Sequence, residues 1–340
     1  MRITRTIAAA MMAGLLVAGV AGCTTEGGSG SSAERADGPK NGDTYVFGNI
    51  AYNMKDVWNQ YSVKSFDYAA TKVDDVETVT LDSENSLEKS VQQMQSLIDR
   101  DVDGINVFPI SPDQAATLGK MADDAGIPVT FENTKPTLDD DQYISLIAAE
   151  YDDIGEAAMN YIADTYPGAK VLYVAGATGG GVYESYQEGV DRALEKLDGK
   201  IEVVSVVHGD WETELSQNVT SDAIQSGTDF DVVFANSELM AKGVKNAIDD
   251  AGLDVPIVAT GGGPDGLAMI EDGELTATMA APVSLQGLTT FKNLYQYVVL
   301  GETPKKSVAL PVIPVDKSTL AEAISWEPSD AAVDYIGGIK

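Results

Sequence analysis

From Thr44 onward, short β-branched runs alternate with longer stretches in which apolar residues recur at helical spacing. TYVFGNIA (44–51) reads as a strand, Val57 to Lys72 as a helix, and VETVTL (76–81) as the next strand. In SLEKSVQQMQSLIDR the residues Leu87, Val91, Met94 and Ile98 fall on one helical face, with Ser86 placed to cap it. The strand series continues through GINVFP, IPVTFEN, KVLYVAG, IEVVSVV, DVVFANS and VPIVATG. Helical stretches at 111–126, 150–167, 183–197, 215–224 and 240–251 lie among them. Strict alternation with near-continuous apolar strands predicts parallel sheets covered by helices on both faces. Two such series in tandem predict an α/β fold of two similar, doubly wound lobes.

In open parallel sheets, ligands sit beyond the carboxyl ends of the strands. Those ends carry polar and aromatic residues here: Tyr52 and Asn53, Phe108, Glu132 and Asn133, Ala177 to Tyr183, Trp211, Asn236 and Ser237, and Gly261 to Gly263.

The chain opens MRITRTIAAAMMAGLLVAGVAGC, with Arg2 and Arg5 ahead of an apolar run from Ile7 to Ala21. That run is shorter than the roughly 20 apolar residues of a membrane span and reads as an export signal over 1–22. Val20-Ala21-Gly22-Cys23 resembles the lipobox of bacterial lipoproteins, whose cysteine is acylated, and this implies a membrane-anchored protein on the extracytoplasmic face. Cys23 is the only cysteine, so an intramolecular disulfide is not available. Residues 23–43, rich in Gly, Ser and charge, read as a flexible tether.

With 22 basic against 53 acidic residues the net charge is −31, which repels nucleic acid and anionic headgroups. The glycine loops invite a phosphate reading, but VATGGGPDG (258–266) and VAGATGGGVYES (174–185) lack the lysine and hydroxyl of a phosphate loop. His208 is the only histidine, which leaves a metal centre or a Ser-His-Asp triad without parts. The acidic runs Asp139–Asp141 and Asp249–Asp250 read as solvated surface. No enzyme activity, cofactor or metal is expected.

Three stretches together resemble the ribose- and galactose-type periplasmic binding proteins: SVQQMQSLIDRDVDGINVFPISPDQAATLGKMADDAGIPVTFEN, FANSELMAKGVKNAIDDAGL and VATGGGPDGLAMIEDGELTATMAAP. The similarity runs from about Thr44 to Trp326. It implies two lobes joined by crossovers near Ala149-Glu150, Ala281-Pro282 and Val312-Ile313. One lobe would comprise 44–149 plus 282–312, the other 150–281 plus 313–326, with 327–340 as a tail. It also implies a monomer that binds a solute, by default a monosaccharide or sugar-like molecule, and delivers it to an ABC permease in the membrane. A ligand-sensing receptor without transport is the competing reading.

By position, Asn53 falls where the family has a polar residue, Trp58 near its stacking aromatics, and Trp211 at the aromatic position of the second lobe. Asn236 and Asn133 match strand-end asparagine and hydroxyl-binding positions, with Glu132 as the alternative if the register slips by one. For the tryptophans the competing reading is ordinary packing, and for Asn236 a turn or cap. Tyr183 lies in the second glycine loop. The sequence departs from the family at four places: Tyr186 replaces an arginine, Gly261 an aspartate, Ala281 a glutamine and Phe108 an asparagine. A cleft that has lost these gripping groups and gained aromatics suggests a less hydroxylated ligand, such as a nucleoside or aromatic compound, with Gly261 making space.

Overall fold

The computed structural model describes residues 38–40, 42–179 and 181–340; the expected export signal, Cys23 and most of the expected tether lie outside them. The first series is β1 (Tyr45–Ala51), α1 (Val57–Ala70), β2 (Val76–Asp82), α2 (Leu87–Asp99), β3 (Gly104–Val107), α3 (Pro112–Asp124), β4 (Val129–Glu132) and β5 (Leu146–Ala148). The second is α4 (Tyr151–Thr165), β6 (Lys170–Ala175), α5 (Val182–Leu197), β7 (Glu202–His208), α6 (Thr213–Gln225), β8 (Val232–Ala235), α7 (Glu238–Asp250), β9 (Ile257–Gly261), α8 (Pro264–Asp272) and β10 (Ala277–Ala280). Then follow α9 (Val283–Val298), β11 (Ser307–Ala309), β12 (Ile313–Asp316) and α10 (Asp330–Tyr335).

The strands form two six-stranded sheets, ordered β11-β5-β4-β3-β1-β2 and β12-β10-β9-β8-β6-β7. Every pairing is parallel except β10 with β12. Pro314 sits on β12, an edge strand, where its missing N–H costs no ladder bond on the outer side. Central strands such as VVFA of β8 are buried throughout, whereas the edge strands β2 and β7 are only partly covered. This is the two-lobed doubly wound architecture that the hydrophobic pattern predicts.

Several helices begin one residue after a side-chain cap. Asp56, Ser86, Ser111 and Ser237 accept the backbone N–H groups of Asn59, Lys89, Gln114 and Met240, closing α1, α2, α3 and α7 just beyond a strand end. The predicted apolar face of α2 holds at Met94, which is buried, and at Ile98, which packs on the core, but Leu87 and Val91 are exposed and Ser90 and Leu97 are buried instead. The core is met one position round the helix because Leu97 fills the space over Gly48 of β1, where a Cβ would lie 2.6 Å from it.

The chain passes between the sheets at β5 to α4, at β10 to α9 and at β11 to β12. Each passage places an apolar residue, Ala149, Ala281 or Leu310, in one buried cluster. That cluster is continuous from Phe47 and Phe66 beside the first sheet to Tyr173 and Phe234 of the second. Separate clusters fill the α2/α3 face of the first sheet and the α6/α7 face of the second.

Two helix pairs flank the shared cluster at close approach. A Cβ on Gly287 of α9 would fall on the Ser62 carbonyl of α1, and one on Gly189 of α5 on the Asp152 carbonyl of α4. Arg192 ties the second pair further, bonding Asp152 at 2.7 Å, Asp153 at 2.9 Å and also Glu156. Residues 327–340, expected as a tail, pack against α1 and α9. Ala332 and Val333 are buried in the shared cluster, Asp330 pairs with Lys72 at 2.6 Å, and Lys292 donates to the Ile336 carbonyl at 2.6 Å.

Gly287→Ala tests the close approach. Alanine gains about 1 kcal/mol of helix propensity over glycine, whereas overpacking against backbone costs about 1–3 kcal/mol or more. A net loss of about 2 kcal/mol in urea unfolding is expected, and a gain would show that α1 and α9 move apart freely.

Candidate functional site

Of the sequence-predicted residues, Phe108, Tyr183, Tyr186, Trp211 and Asn236 stand at the strand ends in aromatic and polar contacts, and the other five serve the scaffold. In the first lobe, Phe108 follows β3 and packs on Tyr52, which follows β1, with ring centroids 5.0 Å apart. Burial, then the carboxylate of Asp56, push the Tyr52 phenol upward. Across the join, burial and the same Asp56 raise Tyr151, at the start of α4, to about 12. Tyr151 therefore stands as a neutral phenol facing the α1 cap. Its ring lies 5.2 Å from that of Tyr186.

Tyr186, which takes the place of the expected arginine, is 4% exposed. Thr260 Oγ1 donates to the Asn236 carbonyl at 2.7 Å, so the Tyr186 hydroxyl donates to Thr260 at 2.9 Å. Burial raises this phenol too. Asn236 directly follows β8 and is 2% exposed. Its Oδ1 accepts from the Tyr173 hydroxyl and the Gly176 N–H, each at 3.0 Å. Because Gly176 N–H can only donate, the other amide atom is Nδ2, and this buried donor has no partner. An unpaired buried donor costs about 1–3 kcal/mol, so it marks a place where an acceptor belongs.

Trp211 holds a φ of +67°, and Asp210 before it +49°. For a bulky residue this left-handed backbone is an outlier that stores on the order of 1–3 kcal/mol and clusters at ligand sites. The indole lies flat against Gly176, where any Cβ would strike the ring. Tyr183 lies 4.9 Å edge-on from His208 and 6.2 Å from Tyr173, with its hydroxyl turned to Gln187 at 3.2 Å. His208 Nδ1 donates to the Gly176 carbonyl at 2.8 Å, a structural bond.

Other predicted residues are committed to the scaffold. Asn53 closes a local turn, accepting the Lys55 N–H at 3.0 Å while its own N–H goes to Asn59. The Trp58 indole N–H donates to Gln286 at 3.3 Å, and its ring meets Trp326 edge-on at 5.2 Å. Asn133, at a φ of +56°, accepts the N–H of Ala149 in the first passage between lobes at 3.2 Å. Glu132 is buried and bonded by Ser62 at 2.5 Å, Gln286 at 2.5 Å and Asn106 at 2.6 Å; burial raises its carboxyl despite these donors.

Gly261 brings a correction. The space left by the absent aspartate is not open. A Cβ there would lie 2.5 Å from Oε2 of Glu238, whose side chain reaches over from the first turn of α7. Glu238 accepts from Thr278 Oγ1 at 2.7 Å, from Gly263 N–H at 3.2 Å and from Gly262 N–H. Burial lifts its carboxyl to about 7, with Asp265 adding to the rise. The glycine loop thus cradles a carboxyl group, and that group is the protein's own. β4 and β9 hold the same place in their sheets, so Glu132 and Glu238 put one buried carboxylate at the equivalent point of each lobe. No sequence signal identified Glu238, since an acidic residue in a first helical turn ordinarily reads as a partner of the helix dipole. Tyr151 and Trp326 were missed for a related reason: each acts through neighbours distant in the chain.

Among the described residues, no group of His, Cys, Asp or Glu is arranged to hold a metal ion, and no helix is long and apolar enough to cross a membrane.

Residues 47–303 match the periplasmic binding protein domain family. The ribose import binding protein of Salmonella typhimurium is 31% identical over 235 residues, covering 68% of this chain and 78% of that protein. A xylitol-binding protein of Mycolicibacterium smegmatis is 27% identical over 342 residues, 99% of this chain and 90% of its own. Among solved structures, an ABC transporter solute-binding protein from Bacillus halodurans with bound myo-inositol superposes with a TM-score of 0.72 at 25% identity, covering 83% of this chain and 98% of that one.

The two buried carboxylates set a pH dependence. A carboxyl raised in the folded state contributes stability below its ordinary value and loses it as pH rises through the raised one. For Glu238 the window runs from 4.5 to about 7. Urea unfolding at pH 5 and pH 8 is expected to show wild type losing stability relative to Glu238→Gln, by at most on the order of 3 kcal/mol. An unchanged difference between the two pH values would place the Glu238 carboxylate in water.

Proposed function

The chain belongs to the periplasmic binding protein family, and from that premise we propose that it captures a sugar or related polyol between its two lobes and hands it to an ABC permease. The observation that carries this reading is the unpartnered Asn236 Nδ2 beside the strained Trp211, a hydroxyl-seeking donor next to an aromatic face. Sugar C–H groups stack on an indole while their hydroxyls satisfy buried polar groups. Phe108, Tyr52, Tyr151 and Tyr186 add neutral aromatic wall. The relatives are named for ribose, allose, xylitol and rhizopine. Those names favour a sugar-like solute over the nucleoside or aromatic ligand that the lost gripping groups suggest. They are also the names of binding proteins and not of enzymes.

We assign the lobes as 44–149 plus 282–312 and 150–281 plus 313–326, with 327–340 added to the first. Solute bridging both lobes shifts an open–closed equilibrium toward the closed form, by its preference for that form. The chain works as a monomer, exported through its first 22 residues and held at the extracytoplasmic face of the cell membrane by acylated Cys23. Palmitate incorporation that disappears in Cys23→Ser is the expected result for the anchor.

A thermal-shift screen against D-ribose, D-allose, myo-inositol and xylitol tests the ligand class. A solute present at about a hundred times its Kd stabilises by about 2.7 kcal/mol, and at least one of the four is expected to do so. Trp211→Ala is expected to weaken that binding by about tenfold or more, an indole face being worth about 1.5 kcal/mol, with melting of the free protein little changed. Silence from all four sugars with a response to nucleosides would overturn the sugar reading.

A further inference from the structure

The carbonyl of Gly261 receives two hydrogen bonds at the edge of the second lobe, where it meets the first. Ala281 N–H donates to it at 3.1 Å, at the point where the chain leaves the second sheet for α9. Trp326 Nε1–H donates to it at 3.2 Å. The Trp326 ring also packs edge-on against two residues of α1 in the other lobe, Trp58 at 5.2 Å and Tyr61 at 5.8 Å. One carbonyl oxygen therefore anchors both a passage between the lobes and an aromatic strut against the first lobe.

Gly261 itself closes the β9–β10 ladder opposite Ala280, but Gly262 and Gly263 lie beyond the strand and turn their N–H groups to a side chain. Gly261 has a φ of +135° and Gly262 one of +79°, conformations open to many alternatives in glycine. What orders them is the Glu238 carboxylate, bonded to the N–H groups of Gly262 and Gly263 and wedged against Gly261 and Gly266, where side chains would collide with it. We propose that Glu238 is a positioning residue: its negative charge orders the Gly261–Gly263 loop and so sets the join between the lobes at Ala281 and Trp326. Charged, it accepts three hydrogen bonds. Protonated, it loses acceptor strength toward all three donors, and the glycines regain their freedom. The groups that bear on its ionisation are Asp265 on α8, Thr278 on β10, the two glycine amides, and Tyr186 on α5, which burial keeps neutral. The buried charge costs overall stability, as above, and gives local order in return. The consequence for solute capture, weaker lobe closure as the surroundings acidify, rests on the reading above; the inference about the loop does not.

The test uses no solute, so its failure is distinct from a failure of the sugar reading. The chain has only three tryptophans, so three indole N–H proton resonances are expected, and Trp326→Phe assigns the one of interest. In the full chain, that resonance and the amides of Gly262 and Gly263 in a 15N-glycine spectrum are followed from pH 5.5 to 8.5. All three are expected to titrate with one midpoint near pH 7. In Glu238→Gln the titration is expected to vanish, with the Trp326 resonance fixed near its acidic position. Thr278→Val provides the second arm: it removes a donor to the charged form and is expected to raise the midpoint by about one pH unit. Resonances that do not move, or that titrate unchanged in Glu238→Gln, overturn the proposal. If Glu238→Gln does not fold, an unshifted midpoint in Thr278→Val overturns it alone.

Discussion

One continuous apolar cluster runs from the first sheet to the second, and the site depends on it. Ala149, Ala281 and Leu310, one from each passage between the lobes, are all buried within it. A passage that buried nothing would leave the lobes free to turn against one another, and the strand ends would face solvent instead of each other. Because the cluster is shared, Asp56 of the first lobe and Tyr151 of the second act on one another electrostatically. The glycines at 189 and 287 serve the same end, since only without side chains can the flanking helix pairs approach closely enough to seal the cluster.

Within that frame, two buried carboxylates organise the walls. Glu132 ends β4 and gathers Ser62 of α1, Gln286 of α9 and Asn106 of β3, four elements of one lobe tied at a single group. Glu238 gathers the glycine loop and β10 of the other. Burying a charge is costly unless its lone pairs are met, and both carboxyls show that cost as an upward shift. The return is geometry. The aromatic residues around them stand on elements whose ends are tied down, which suits a site that must present fixed faces to a small solute.

The contrast between Asn236 and Asn133 shows where side-chain type stops predicting role. Both asparagines follow a strand, and the family resemblance places both at the site, Asn133 at a hydroxyl-binding position. Asn133 bends into the left-handed region and turns its oxygen to the Ala149 N–H, a bond within the scaffold. Asn236 commits its oxygen to Tyr173 and Gly176 and keeps a buried donor free. The difference lies in which backbone groups happen to lie nearby, and those come from elements 16 and 60 residues away.

The fold class was legible because it rests on short-range rules. Period-3.6 helices alternating with buried β-branched runs admit parallel, doubly wound sheets and little else, and the strand ends then mark a site region without further information. The identity of the site groups was less legible. Gly261 read as an opening, yet a carboxylate 23 positions earlier fills it, because a missing Cβ at the end of β9 and a long side chain on α7 are adjacent only after β8 and β9 pair. Trp326 read as the last residue of a match, yet it bridges Gly261 and α1. Local periodicity, caps and turns are properties of neighbours in sequence, so the chain itself determined them. Which side chain occupies which space across the lobes depends on strand order and helix packing, so only the tertiary structure decided it.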